Sequence, residues 1–261
     1  MPDPESLSGP TLSDARASKP IVVNAPGFLV MQLDDGNFQS LMRKSQPHRL
    51  ELGYTRTMMG FLLFNPHPKH IAMIGLGGGS MPKHCYRRLR DSSITVVEIN
   101  PEVIALRNRF HVPSDNQRFT VVCGDGADYV ARQKSALDVL IVDGFDTSGQ
   151  APQLCTQCFY DACHASLGDH GVMVVNILGA DPGIETYLAR IRHSFDGAVV
   201  VVPSEDCDNK IVFAVKGPAI GLPDSELTVR TQALEAQHGL KFQHVAAQLM
   251  NHRRADAGDV E

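Results

Sequence analysis

Two aspartates, Asp143 and Asp146, stand three residues apart in VLIVDGFD, just past a β-branched apolar run. That pairing suits work on a cationic amine. An alkylamine with a pKa near ~10.4, like lysine, is protonated at pH 7 and cannot attack an electrophile until a base takes its proton. One carboxylate can take the proton while the other holds the charge. A strand end followed by a capped turn would use the same two residues.

Three further features precede this pair. The run HIAMIGLGGG breaks from a strand into Gly75, Gly77 and Gly78. Such a cluster lets the backbone approach a ligand at the carboxyl edge of an open α/β sheet, although packing alone also produces glycine turns. Glu98 closes TVVEIN 23 residues after Gly75, close to the ~20 of an acid that accepts from ribose hydroxyls. Asp125, in Gly124-Asp125-Gly126, follows a third strand and is placed to accept from an adenine amino group; GDG is also a common turn. In this order the three describe a site for an adenosyl group. A dinucleotide fold would need a third glycine where Ser80 stands, and a phosphate loop would need G-K-[ST], which is absent.

The elements that must position these residues are visible as alternating short apolar runs and longer amphipathic ones, the pattern of βαβ units. Strands are predicted over 70–76, 93–99, 119–124, 138–143, 171–178, 198–203 and 210–216. Helices are predicted over 80–90, 101–110, 126–134, 155–167 and 182–195. The last two strands leave room only for a turn and should be antiparallel. Ahead of them, Asp35-Gly36 between two apolar runs predicts a β-hairpin, and residues 50–64 have helical spacing ending at Asn65-Pro66. The expected organisation is a leader over 1–19, a hairpin subdomain over 20–49, a Rossmann-like domain over 50–217, and one helix near 225–251 within a tail over 218–261.

Composition sets the bounds. A chain of 261 residues with 43% hydrophobic content can bury one sizeable core. A formal net charge of −5 without a long basic run argues against a nucleic-acid partner. No apolar run reaches the roughly 18 residues of a membrane span, and the first residues lack a signal peptide's apolar core, so a cytoplasmic protein with no membrane partner is expected. Six scattered cysteines fit reduced thiols, and Cys155-Thr156-Gln157-Cys158 lacks the further ligands of a zinc site. The eleven histidines form no HxH or HxxxH pair, so no metal is expected.

Seven strands with an antiparallel final pair is the layout of class I AdoMet-dependent transferases, and over roughly residues 25–217 the chain resembles the spermidine synthase (polyamine aminopropyltransferase) family. The family's LDGxxQ hairpin motif is similar to Asp35-Gly36-Asn37-Phe38-Gln39, its acidic strand end to Val97-Glu98-Ile99-Asn100, its adenine motif to Gly124-Asp125-Gly126, and its D-x-x-D loop to Asp143-Gly144-Phe145-Asp146. The resemblance implies aminopropyl transfer from decarboxylated AdoMet to a small-molecule amine. Asp143 would then be the base, Asp146 and Tyr54 would contact the amine, and Gln39, Gly75, Gly77, Gly78, Glu98, Asp125 and Gly126 would hold the donor. It also implies a homodimer or homotetramer. Two departures stand out: Gly78 replaces the aspartate of the family's GGGDGG loop, and the chain has no Trp. Loss of that aspartate favours the alternative of a methyltransferase using AdoMet itself; a non-catalytic nucleoside-binding protein is the third reading. Glu205, with Asp206 and Asp208, is a secondary candidate for the amine, and a solvated hairpin turn explains the three equally well.

Overall fold

The computed structural model describes residues 19–33, 38–146, 149–217 and 222–258. The expected leader up to residue 18, and the turn residues Asp35, Gly36 and Asn37, lie outside the described residues.

A seven-stranded sheet forms the centre. Its strands are β4 (His70–Ile74), β5 (Ser93–Glu98), β6 (Phe119–Cys123), β7 (Leu137–Val142), β10 (Leu167–Ile177), β11 (Val199–Pro203) and β12 (Lys210–Val215), ordered β11-β12-β10-β7-β4-β5-β6. All the pairings are parallel except those of β12, which runs antiparallel to both neighbours. Burial of both faces of the sheet, with side chains alternating between them, explains why the central runs are mostly apolar. On β7, Val139 and Ile141 enter the core on one face, and Leu140 and Val142 the core on the other. Because the parallel strands end on one edge, Ile74, Val97 and Val142 finish in register and the residues after them share a single rim.

Helices cover both faces. Those in the Rossmann-like region are α3 (Ser80–Arg88), α4 (Pro101–Ala105), α5 (Gly126–Ala131), α6 (Gln157–Ser166) and α7 (Ile184–Ser194), preceded by α1 (Gly53–Met58) and α2 (Phe61–Phe64). The single helix predicted over 50–64 is therefore two. At Gly60 the chain tightens to i→i−3 bonds, with the Leu63 amide donating to Gly60 O, and Phe213 and Val245 crowd the glycine too closely for a Cβ. The predicted C-terminal helix is likewise two, α8 (Asp224–His238) and α9 (Gln243–Gly258). Gly239, at φ +66°, closes α8 in the left-handed conformation that glycine tolerates. The helix predicted over 101–110 stops at Ala105, and the strand predicted from 171 begins at Leu167.

The predicted N-terminal hairpin is part of a three-stranded antiparallel sheet: β1 (Ile21–Ala25), β2 (Phe28–Gln32) and β3 (Phe38–Arg43). The strand missed from sequence is β1. Ile21 and Val23 are 46% and 43% exposed and only Val22 packs against the core, so apolar residues occur on both faces and no polar alternation marks the strand. Two short strands, β8 (Phe145–Asp146) and β9 (Gly149–Gln150), pair beyond β7.

Candidate active site

The rim of the sheet opens into a cavity of about 350 Å³ whose wall includes Gln39, Tyr54, Gly75, Glu98, Asp143 and Asp146. Residues separated by more than a hundred positions thus meet at one edge.

The glycine loop is fixed from beneath. The Gly75 amide donates to Val97 O at 2.8 Å, and the Asp143 amide donates to Ile74 O at 2.9 Å. Gly75 sits at φ +98°, and a Cβ there would lie 2.2 Å from Asp143 O, so only glycine lets the two strand ends come together. Glu98 is buried and accepts from the loop: the Leu76 amide donates to its Oε2 and the Asn100 amide to its Oε1, both at 2.9 Å. Burial raises its pKa above the usual carboxylate value, and the backbone N–H groups of Asn100, Leu76, Gly77 and Ile99 oppose that rise. Glu98 therefore orders the loop that a nucleoside would touch.

Gly78 and Gly77 also line the cavity. A Cβ on Gly78 would stand 2.4 Å from Ser40 Oγ and 2.9 Å from the Phe110 ring. The missing aspartate is thus built into the packing, since Ser40 on β3 fills the space a side chain would need. Asp125 sits differently from expectation. Its Oδ1 accepts from the Ala127 and Asp128 amides at 2.7 and 3.4 Å as the N-cap of α5, and the wall beside it is made by Gly124 and Gly126. Gly126 has no room for a Cβ against Ile74.

Asp143 is held by side chains. Asn176 Nδ2 donates to Asp143 Oδ1 at 2.8 Å, and the Tyr54 hydroxyl hydrogen-bonds to the same carboxyl group. Burial raises the Asp143 pKa while these two donors oppose the rise. Burial first, then the Asp143 charge, pushes Tyr54 well above its ordinary value, so the phenol keeps its proton and donates. Asp146, on β8, is buried in the same wall. Asn176 was missed from sequence; its only signal is a polar residue inside the apolar run VMVVNIL.

Glu205 is not brought into the wall. It pairs with Arg56 Nε at 3.1 Å, while Asp206 Oδ2 accepts from the Gly53 amide at 2.7 Å and lies 3.5 Å from Arg56 Nη2. These acids serve the turn and the start of α1. Cys155 is buried, Cys158 is exposed and both are free. Among the described residues no group of three or more His, Cys, Asp or Glu could hold a metal ion, and no helix is long and apolar enough to cross a membrane.

A seven-stranded sheet with its last strand pair antiparallel, a glycine loop tied to a strand-end glutamate and a rim carboxylate define a class I AdoMet-type transferase. Within that class the chain belongs to the spermine/spermidine synthase family, whose domain model matches residues 51–203. It is 35% identical over 229 residues to a polyamine aminopropyltransferase of Chromobacterium violaceum, covering 87% of this chain and 88% of that one. Among solved structures it is similar to a probable spermidine synthase from Corynebacterium glutamicum, with TM-score 0.68 and 20% identity, covering 82% of this chain and 84% of that one. It is also similar to human methyltransferase-like protein 13 in complex with SAH, with TM-score 0.60 and 27% identity, covering 71% of this chain and 88% of that one.

Proposed function

We propose that this chain transfers an aminopropyl group from decarboxylated AdoMet to a short diamine such as putrescine, as a step of polyamine biosynthesis. The observation that carries the reading is the carboxylate of Asp143, set between Tyr54 and Asn176 in the wall that also contains the glycine loop. A base is what an ammonium acceptor needs before its nitrogen can attack, and family membership supports the aminopropyl donor.

Asp143 takes the proton from the acceptor's ammonium group. The freed nitrogen lone pair attacks the propyl carbon bound to the sulfonium. A C–N bond forms, the C–S bond breaks, and its electrons neutralise sulfur to leave a thioether. Asp146 holds the acceptor's charge and Tyr54 steadies the base. Gln39, Glu98 and the backbone at Gly75, Gly77, Gly78 and Gly126 hold the donor in line for this displacement. We place the enzyme in the cytoplasm, without a nucleic-acid or membrane partner and as a homodimer or homotetramer; membership of the family supports that placement.

AdoMet-dependent methyl transfer is kept as the second reading because Gly78 offers no acid to the donor's ammonium. Titration calorimetry with the two donors separates them. The proposal expects decarboxylated AdoMet to bind at least tenfold more tightly, a difference of about 1.4 kcal/mol. Tighter binding of AdoMet would overturn it in favour of methyl transfer.

A further inference from the structure

The turn joining β11 to β12, residues 204–209, reaches the base from two directions. On one side Asn209 Nδ2 donates to Asn176 Oδ1 at 2.9 Å, and Asn176 Nδ2 donates in turn to Asp143 Oδ1 at 2.8 Å. On the other, Asp206 Oδ2 accepts from the amide of Gly53, the residue before Tyr54. Both approaches are close. A Cβ on Gly53 would lie 2.1 Å from Asp206 Oδ1, and one on Gly179, in the loop after β10, would lie 2.0 Å from Asp208 O. The turn itself is closed by the Ser204 amide donating to Asn209 O at 2.9 Å.

A carboxamide has one accepting and one donating end, so its orientation decides what it offers a carboxylate. Asn176 is 1% exposed, so its protein neighbours set that orientation. Turned over, it would face Asp143 with an oxygen, acceptor against acceptor. The hydrogen bond from Asn209 occupies Asn176 Oδ1 and leaves Nδ2 for Asp143. We infer that Asn209 is a positioning residue for the reaction, acting through Asn176 to fix the orientation of the Asp143 carboxylate, and that the 204–209 turn exists on this face to carry it. Asn209 lies outside the cavity wall and touches no reacting atom. Two of the three acids of the same turn then have a use other than the substrate: Asp206 anchors the turn to α1, and Glu205 clamps it through Arg56.

This inference rests on Asp143 being the base, so its test has one readout that needs no turnover. In the full-length protein without donor, carbon-13 carboxyl resonances report the titration of Asp143, assigned by its loss in Asp143→Asn. In Asn209→Ala the hold on Asn176 is gone; in the isosteric Asn209→Asp a carboxylate draws Asn176 Nδ2 toward itself and turns the amide over. Both variants are expected to move the Asp143 titration to higher pH, Asn209→Asp further. Both should lower kcat by about tenfold or more while donor KM stays within about twofold. An unchanged titration together with an unchanged kcat would overturn the inference. Should the alanine variant fail to fold, the aspartate variant, which keeps the side-chain volume, decides alone. A shifted titration in a protein that transfers no aminopropyl group would uphold Asn209 as the positioning residue and place the failure on the proposed reaction.

Discussion

On the side of the cavity where we propose the donor binds, the wall is main chain: the glycine loop, with Glu98 accepting from the amides of Leu76 and Asn100. On the side proposed for the acceptor it is side chains, with Asp143 held by Tyr54 and Asn176, and Asn176 held by Asn209. The first half is made from two neighbouring strand ends, β4 and β5. The second gathers residues from α1, β7, β10 and the turn before β12. A main-chain site suits a donor whose shape is constant, because backbone amides cannot be retuned by one substitution. A side-chain network suits an acceptor that must lose a proton, because the base needs a tuned pKa.

The two halves should fail in different ways. The largest expected effect is on the acceptor side: Asp143→Asn lowers kcat by about 10²–10⁴-fold while donor affinity stays within a few-fold, measured by initial rates and calorimetry. Equal loss of donor binding would erase the distinction between the halves. The same substitution carries a stability signature. Burial lifts the folded-state pKa of Asp143 above its unfolded value. The neutral acid's contribution is therefore complete below the unfolded pKa, near ~3.9, and is lost as pH rises through the folded value. Asparagine does not ionise, so the variant should melt at least as high as the parent at neutral pH, with the gap closing as the pH is lowered toward that of the unfolded carboxyl group.

Next comes the residue that joins the halves. Gly75→Ala meets a left-handed φ of +98° and places its Cβ 2.2 Å from Asp143 O. Strain of about 1–3 kcal/mol combines with overpacking of about 1–3 kcal/mol. Thermal melts and rates should both suffer, and a variant that kept one half intact would show that the strand ends are not coupled. On the donor side, Glu98→Gln replaces an acceptor-only group by one whose NH₂ faces a backbone N–H. At about 1.5–3 kcal/mol for hydrogen bonds to a charged group, donor Kd should rise by about 10–100-fold, with kcat at saturation little changed. The smallest effect is at the rim. Arg56→Ala removes the ion pair to Glu205, whose side chains are each 27% exposed, and should cost under about 1 kcal/mol for that pair, less in high salt.

Sequence made the donor half legible because its geometry is set by contiguous residues: Gly75 and Gly77 need positive φ, and Glu98 falls at a fixed distance along the next strand. It also showed Asp143 and Asp146, since a strand end announces them. Asn176 and Asn209 gave no pattern, because a lone amide in an apolar run and another in a polar turn become a pair only when β10 and β12 align. Asp125 was read correctly as following the third strand, yet only the folded α5 shows its carboxylate bound to the helix amides. Glu205 was legible only as a choice between a secondary amine contact and a hairpin turn, because nothing local says that Arg56, on a helix far earlier in the chain, pairs with it. The helix breaks at Gly60 and Gly239 were hidden for the same reason: helical spacing runs through both, and tertiary packing and a left-handed cap end the helices there.

The central claim is that an amine, not a generic methyl acceptor, is served by the Asp143 side of the cavity. It is tested most directly by incubating the purified protein with decarboxylated AdoMet and putrescine, and in parallel with AdoMet and putrescine, and identifying products by mass spectrometry. Spermidine and methylthioadenosine are expected in equal amounts from the first mixture, with no transfer in the second. Methylated diamine with S-adenosylhomocysteine from the second mixture, and nothing from the first, would contradict it.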